Sequence, residues 1–557
     1  MNLSSSKSVV TRVGEVTFHH PKIFWFGTLA VTTGVLLHLP MYLHGRHHGY
    51  QLAGMPIDNN MLIGMAAIVV GLLASLYGLY PKKSNACTGS LNTISVQTMD
   101  DAPIGLAHIG LLFTMAVAIT IDIMKPTSLA FVIPGMTLEY NLKSPLNPAG
   151  IVPAAYVALA GITGTVLGSL LWGWLGDKIG RRASILFAGI NFIATSICGT
   201  MPEFNWNVAM CFLMGLSVGG MLPIAYALLA ETIPARHRGW LMVLVGADIA
   251  GAYLLTSWLA AELVPIYSWR ILWLIGLPTG VLFILLNRWI PESPRFLVAA
   301  GREDEARAVL ERFGAVITHK PANTPTISPL PQSRWRELIA PHFLGPTLAF
   351  STLGIGCGLG LFGFNLWIPS NLRSLGLVEA DAILRNAALI GFPLTFFVAW
   401  LYGFWSSKKT VIVMSSITAL ALGGFALAGD SILNNRTLLY VLLVAPIWGI
   451  NAVVAVLSVY SSEVYPTQVR STGAGLCAAA CKAGGVLIIA LVAFGILPPS
   501  ITTVSLIGAT SMLLSLIAVI LFGVETRNRG LEEITKSISK LNPPSSPPNM
   551  PQHDAEQ

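Results

Sequence analysis

The 557-residue chain is 54% hydrophobic and only 11% charged, with a formal net charge of +7. An ordinary soluble domain carries about 25% charged residues, so this composition excludes a water-soluble protein of this length. The positive charge does not call for a nucleic-acid partner, because an uneven distribution of basic loops across a membrane accounts for it.

In chain order, residues 1–22 are polar and the first apolar run begins near Ile23. That run passes any small-residue cleavage site without a break, so it reads as a retained helix rather than a signal peptide. Apolar blocks of about 20 residues, enough as helix to cross ~30 Å of hydrocarbon, then recur along the chain. Two candidate spans lie near 23–44 and 60–80, and six more near 105–135, 151–175, 184–201, 206–230, 240–261 and 268–289. A polar stretch, 290–342, precedes the last six, near 343–369, 381–405, 410–428, 437–460, 472–494 and 501–522. Residues 524–557 form a tail whose end is rich in Pro, Ser and Gln. With both termini placed in the cytoplasm, most of the 33 Lys and Arg fall on that side, leaving Arg46, Lys143, Arg270, Arg373, Arg385 and Arg436 outside. The expected location is therefore a multi-pass position in a bacterial inner (plasma) membrane.

The six cysteines form no CxxC or Cys/His metal spacing. Cys477 and Cys481, one helical turn apart, read as small packing residues. His38, His44, His47 and His48 sit on the first two spans and their loop with only Asp58 nearby, which reads as a hydrated loop rather than a metal site. No cofactor is expected.

The two blocks of six spans echo one another. Glu231-Thr-Ile-Pro234-Ala-Arg-His-Arg238 and Glu463-Val-Tyr-Pro466-Thr-Gln-Val-Arg470 both read E-x-x-P-x-x-x-R, 232 positions apart. Glu292-Ser-Pro-Arg295 and Glu525-Thr-Arg527, each after the last span of its block, lie 233 apart. Two motifs at nearly one offset indicate duplicated units, with a site between repeats. The expected fold is an all-α membrane protein of fourteen spans. It comprises two pseudo-symmetric six-helix bundles, 105–289 and 343–523, and two additional N-terminal transmembrane helices within 23–104.

Gly173-Trp-Leu-Gly-Asp177-Lys178-Ile-Gly180-Arg181-Arg182 lies between the second and third spans of the first bundle. It resembles the signature loop of the major facilitator superfamily, G-x-x-x-D-[RK]-x-G-R-[RK]. The second bundle keeps a remnant, Gly403-Phe-Trp-Ser-Ser407-Lys408-Lys409, with serine at the acid's place and lysines at the double arginine's. Pro291-Glu292-Ser293-Pro294-Arg295-Phe296-Leu297 resembles the P-E-S-P-R box of the sugar-porter and organic-solute branches. Glu525-Thr-Arg527 with Gly530-Leu531-Glu532-Glu533 resembles their closing box, with Val524 where proline usually stands. The resemblance covers about 105–535, and residues 1–104 lie outside it. It implies a secondary transporter and not an enzyme. Its cytoplasmic gate would be Gly173, Asp177, Lys178, Gly180, Arg181, Arg182, Glu231, Arg238, Glu292, Arg295, Glu463, Arg470, Glu525 and Arg527. These loops are expected to form ion pairs between the two halves that break as the halves rock.

Charged residues inside a span are costly, so they are functional candidates. Asp122 and Lys125 lie near mid-membrane on one face of the first bundle helix, followed by Pro126, which can loosen it. They read either as a self-neutralising pair or as a proton carrier beside an anion-attracting cation. Asp248 lies nearer the cytoplasmic end of its span and can titrate or cap a helix. Lys482 is expected to snorkel to the cytoplasm. In the second bundle, Asn365, Trp367, Trp448 and Asn451 offer amide and aromatic groups that can orient a ring-bearing solute. Two departures weigh against a direct sugar assignment. No Q-Q-x-x-G-x-N occurs where sugar porters carry it, and Cys211 stands where the family often has arginine ahead of the glycines of its fourth helix.

The leading functional expectation is alternating-access transport of a small organic solute, an organic anion or metabolite, by proton-coupled symport. The partners are then a small-molecule substrate, protons and the lipid bilayer, with no nucleic acid. A partner protein on the two extra helices is left open, with no residue pattern to support it. Drug or metabolite efflux in the same fold, and a non-transporting sensor or scaffold that retains it, are the alternatives.

Overall fold

The computed structural model describes residues 11–13, 16–80, 99, 102–219, 221–246, 248–299, 301–316, 338–429, 432, 435–465 and 470–527. Lipid offers no hydrogen bonds to a bare backbone, so apolar segments of this length satisfy their own peptide groups as helices. Among the described residues, twelve helices are long and apolar enough to cross a membrane. The shorter apolar helices Ala155–Ser169 and Phe204–Val218 occupy the two remaining positions expected from the sequence.

The first bundle holds core helices 1 (Leu106–Glu139), 2 (Ala155–Ile179) and 3 (Arg181–Thr200). Core helix 4 is Phe204–Val218 continued by Met221–Thr232, and core helix 5 is Ala235–Gly246 continued by Asp248–Tyr267. Core helix 6 is Ile271–Trp289. The second bundle holds core helices 7 (Phe343–Ser374), 8 (Ala380–Trp405) and 9 (Ser407–Ala428). Core helices 10 (Arg436–Val464), 11 (Arg470–Ala493) and 12 (Ile501–Phe522) complete it.

Glycines set the closest helix contacts. A Cβ on Gly215 or Gly219 of core helix 4 would fall 2.0 or 2.2 Å from the carbonyl oxygens of Gly161 and Thr165 on core helix 2. These two helices therefore touch backbone to backbone.

The N-terminal region contributes two helices, Pro21–Leu36 and Asn59–Leu79, the second capped by Asp58, whose carboxylate accepts the Met61 N–H at 2.8 Å. They pack through a glycine seam. A Cβ on Gly27 would lie 2.5 Å from the Gly71 carbonyl oxygen, and one on Gly34 2.6 Å from that of Gly64. The pair leans on core helix 3. Its loop reaches core helix 1, where the Leu52 and Ala53 N–H groups donate to Glu139 at 2.7 and 3.0 Å. The segment expected as a plain polar tail contains a small antiparallel pair, Thr11–Val13 with Val16–Phe18, whose Phe18 ring packs on Phe24 at 4.9 Å.

The two bundles touch at both faces. On the face of the signature loop, a Cβ on Gly403 would lie 3.0 Å from the Trp240 side chain, and one on Gly239 2.7 Å from the Glu463 carboxylate. On the opposite face, Arg385 of core helix 8 pairs with Glu262 of core helix 5 at 2.6 Å.

Candidate functional site

Core helix 1 carries its charges where its own hydrogen bonding is interrupted. Pro126 has no N–H to give the carbonyl four residues back, which is that of Asp122. The Asp122 side chain is fully buried, and neither carboxyl oxygen has a hydrogen-bond partner. Lys125 does not pair with it. Its ammonium donates to the Phe192 carbonyl and to Thr195 Oγ1, both at 2.7 Å, and lies 4.7 Å from the Phe192 ring centre. It points into the first bundle, beside a cavity lined by Ile121, Ser128, Met214, Thr256, Trp273 and Thr279. The Trp273 indole N–H is buried there without a partner. Asp248, at the start of the longer segment of core helix 5, accepts from Thr120 Oγ1 at 2.6 Å and so binds core helix 5 to core helix 1.

In the second bundle, core helix 7 widens into a π-helical turn over Gly360–Asn365, a local unwinding common at functional sites. Asn365 is buried with both amide atoms unpartnered, and Trp367 is fully buried with its N–H unpartnered. On core helix 10, the Trp448 indole N–H and the Asn451 amide nitrogen also lack partners. Trp448 packs toward Gly391 of core helix 8. The structure does not gather these residues around the Lys125 cavity, whose lining comes from the first bundle alone.

The expectation for Lys482 is corrected. Its ammonium turns inward to the other bundle, 3.3 Å from the Gly219 carbonyl oxygen and 3.5 Å from that of Thr165. A partly buried amine on core helix 11 finds these carbonyls closer than water.

Several of the residues expected from the sequence to form a gate build one pattern twice. Glu292 Oε1 accepts the backbone N–H groups of Arg181 at 2.8 Å and Ser293 at 3.0 Å, and its Oε2 accepts that of Arg182 at 3.2 Å. It thereby satisfies the first N–H groups of core helix 3, which no residue of that helix can reach. Gly180, with φ of +96°, makes room for it, since a Cβ there would lie 2.5 Å from the Glu292 carboxylate. Ser293 donates to Glu231, and Arg181 pairs with Glu231 at 3.3 Å. In the second bundle, Glu525 accepts from the Ser407 N–H at 3.0 Å, the Ser407 hydroxyl at 2.6 Å and the Ser406 hydroxyl, at the start of core helix 9. Thr526 donates to Glu463 at 2.7 Å, and Tyr402 does so at 2.6 Å. Each glutamate caps a helix, and the hydroxyl residue after it binds the second acid.

Arg181 and Glu231, which form an ion pair among the described residues of this network, both belong to the first bundle. Ser407, at the acid's place of the second signature, opens core helix 9 as Arg181 opens core helix 3. Lys178 is exposed, and Arg527 donates to the Trp405 carbonyl at 3.0 Å. The side-chain surroundings of Gly173, Asp177, Arg238, Arg295 and Arg470 lie outside the described residues.

The two caps differ electrostatically. Burial pushes the Glu292 carboxyl up to about 7, against the pull of its three backbone donors and of Arg181. Burial also acts to raise Glu525, but the Ser406 and Ser407 hydroxyls and the Arg527 and Ser407 N–H groups outweigh it and hold Glu525 below the usual carboxylate range.

Sequence reasoning missed Arg270. This residue, counted as an outer-loop charge, is fully buried and paired with Glu139 at 2.7 Å. It also donates to the Met201 carbonyl at 2.8 Å and the Tyr140 hydroxyl at 2.7 Å, while Trp269 donates to Glu139 at 2.8 Å. A basic residue within a Tyr-Ser-Trp-Arg run looks like interface anchoring, and nothing local marks its distant partner.

Residues 151–537 match the family described as "Sugar (and other) transporter". The chain is 27% identical over 451 residues to the niacin transporter NiaP of Acinetobacter baylyi, covering 79% of this chain and 99% of that protein. It is 28% identical over 387 residues to the putative metabolite transport protein YdjK of Escherichia coli, covering 67% and 83% respectively. The fold is similar to that of the proton:xylose symporter XylE bound to a bromodeoxyglucose, with a TM-score of 0.59 at 18% identity, covering 77% of this chain and 99% of that one. With its signature loop, its two six-helix bundles and this match, the chain belongs to the sugar (and other) transporter family of the major facilitator superfamily.

Proposed function

We propose that this protein moves a small, ring-bearing organic anion across the membrane by alternating access, coupled to protons, with Asp122 as the proton carrier. The observation that carries the reading is Asp122 itself: a carboxyl group wholly buried at mid-membrane with both oxygens unpartnered. An unpaired carboxylate there is very costly, so a protonated resting form is the economical one. Lys125 supplies the positive charge that would attract an anion. Asn365, Trp367, Trp448 and Asn451 supply unpartnered donors, acceptors and ring faces in the other bundle. Niacin, the substrate in the name of the Acinetobacter relative, is a ring-bearing carboxylate and the first compound to test. The E-x-x-P-x-x-x-R and P-E-S-P-R residues form the gate on the face of the signature loop, which the basic-loop bias makes the cytoplasmic face of an inner membrane.

The test is a thermal-shift screen of the purified protein against organic acids, neutral sugars and amines, repeated with Lys125→Ala. Niacin or a related acid should raise the melting temperature of the native protein and not that of the variant. A neutral sugar that stabilises both equally would contradict the anion reading.

A further inference from the structure

Lys125 stands near the middle of core helix 1, at a depth where a charge is costly unless an opposite charge meets it. Its ammonium has three N–H groups. Two of them go to the Phe192 carbonyl and the Thr195 hydroxyl, both at 2.7 Å. Both acceptors are neutral. Among the described residues, no carboxylate lies within ion-pairing distance of this ammonium. One N–H and the positive charge itself are left unanswered.

The cavity beside Lys125 has a volume of about 20 Å³. A water-sized group needs about 10–15 Å³. Core helices 1, 4, 5 and 6 line it, and no acidic residue is among the lining residues described. Its hydroxyls are already committed as donors. Ser128 donates to the Lys125 carbonyl at 2.7 Å, Thr256 to the Ala252 carbonyl at 2.7 Å and Thr279 to the Ile275 carbonyl at 2.8 Å. A second donor remains in the wall: the indole N–H of Trp273, a side chain only 4% exposed, has no partner. Core helix 6 brings this wall to the ammonium. Gly276, three residues after Trp273, also lines the cavity, and a Cβ there would lie 3.2 Å from Lys125 Nζ.

We propose that Lys125 and Trp273 form a subsite of the first bundle for one small, singly charged anion, either the carboxylate end of the transported acid or a free halide. Such an anion answers the charge, the spare ammonium N–H and the indole N–H together. A water molecule accepts the two N–H groups but leaves the charge unbalanced. Every wall of the subsite belongs to the first bundle, so an anion held there stays with that half as the halves rock. The inference rests on the reading of Lys125 as the charge that attracts an anion, and adds Trp273 as the second donor.

The test titrates the full-length protein in lipid nanodiscs with sodium formate and, separately, with sodium chloride. Each replaces sodium gluconate, a bulkier anion, at constant ionic strength, and the melting temperature is read. Formate, chloride or both should raise it with saturation. The rise should vanish in Lys125→Gln. In Trp273→Phe, which keeps an aromatic ring and removes the N–H, the midpoint concentration should increase about tenfold, the scale of a hydrogen bond to a charged acceptor. A rise retained at a higher midpoint also shows that this variant is folded. A response to formate alone assigns the subsite to the carboxylate of the acid, and a response to chloride alone assigns it to a free halide. No difference between the salts and gluconate in the native protein, or an unchanged midpoint in either variant, overturns the subsite. If neither small anion acts while niacin stabilises the native protein and not Lys125→Ala, the subsite falls and the anion reading stands. If niacin stabilises Lys125→Ala equally, the anion reading falls with it.

Discussion

Glu292 accepts the backbone N–H of Arg181 at 2.8 Å, so an acid that follows core helix 6 closes the open start of core helix 3. The same relation recurs between Glu525 and Ser407 at 3.0 Å, and it explains why both glutamates stand just after the last helix of a bundle.

The buried Glu292 carboxyl gives the first prediction. Its pKa in the folded protein, about 7, lies above the ordinary 4.5. The folded state therefore holds a proton that the unfolded chain has lost, and stability falls as pH rises between those two values. Glu292→Gln removes this titration. The melting temperature of the native protein should fall relative to that of the variant as pH rises through this window, as read by thermal unfolding in detergent. Parallel curves would contradict the assignment.

Gly71→Val tests the N-terminal seam. The Cβ would meet the Gly27 carbonyl oxygen at 2.7 Å and the Val31 backbone N at 2.8 Å. Overpacking of this kind costs about 1–3 kcal/mol. Cysteine cross-linking between the two N-terminal helices should become slower, while Gly105→Ala, which meets nothing within 4 Å, should leave it unchanged.

Glu139→Ala would leave the guanidinium of Arg270 buried without its carboxylate and remove the acceptor of the Leu52 and Ala53 N–H groups. Breaking a buried pair this way costs roughly 3–5 kcal/mol. Thermal stability should drop sharply, and the loop around Leu52 should gain amide hydrogen exchange.

Asn365→Leu separates binding from folding. Both amide atoms of Asn365 are buried and unpartnered, so an apolar residue of similar size should stabilise the empty protein. If the amide orients the substrate, niacin binding measured by calorimetry should weaken by about tenfold, corresponding to one lost hydrogen bond. Unchanged affinity would remove Asn365 from the site.

Much of the architecture was legible because membrane physics is severe. Blocks of apolar residues, basic loops and the repeated E-x-x-P-x-x-x-R motif carry the spans and the two-bundle plan. Long-range pairings were not legible, because they depend on which helices become neighbours. Arg270 and Lys482 have their partners 131 and 263 residues away in sequence, at Glu139 and Gly219. The serines of the second signature donate their hydroxyls to Glu525, a role that comparison with the first loop's acid does not reveal. The two extra helices, without a motif, show their purpose only as contacts: a glycine seam and a loop bound to Glu139.

The central claim is proton-coupled transport through Asp122, and its most direct measurement is niacin uptake into proteoliposomes under an imposed pH gradient. The native protein should accumulate labelled niacin only while the gradient lasts. Asp122→Asn should lose gradient-driven accumulation at least about tenfold, the scale of a lost step costing 1.4 kcal/mol or more, while still exchanging labelled for unlabelled niacin. Accumulation that is indifferent to the gradient, or that survives in Asp122→Asn, would contradict it.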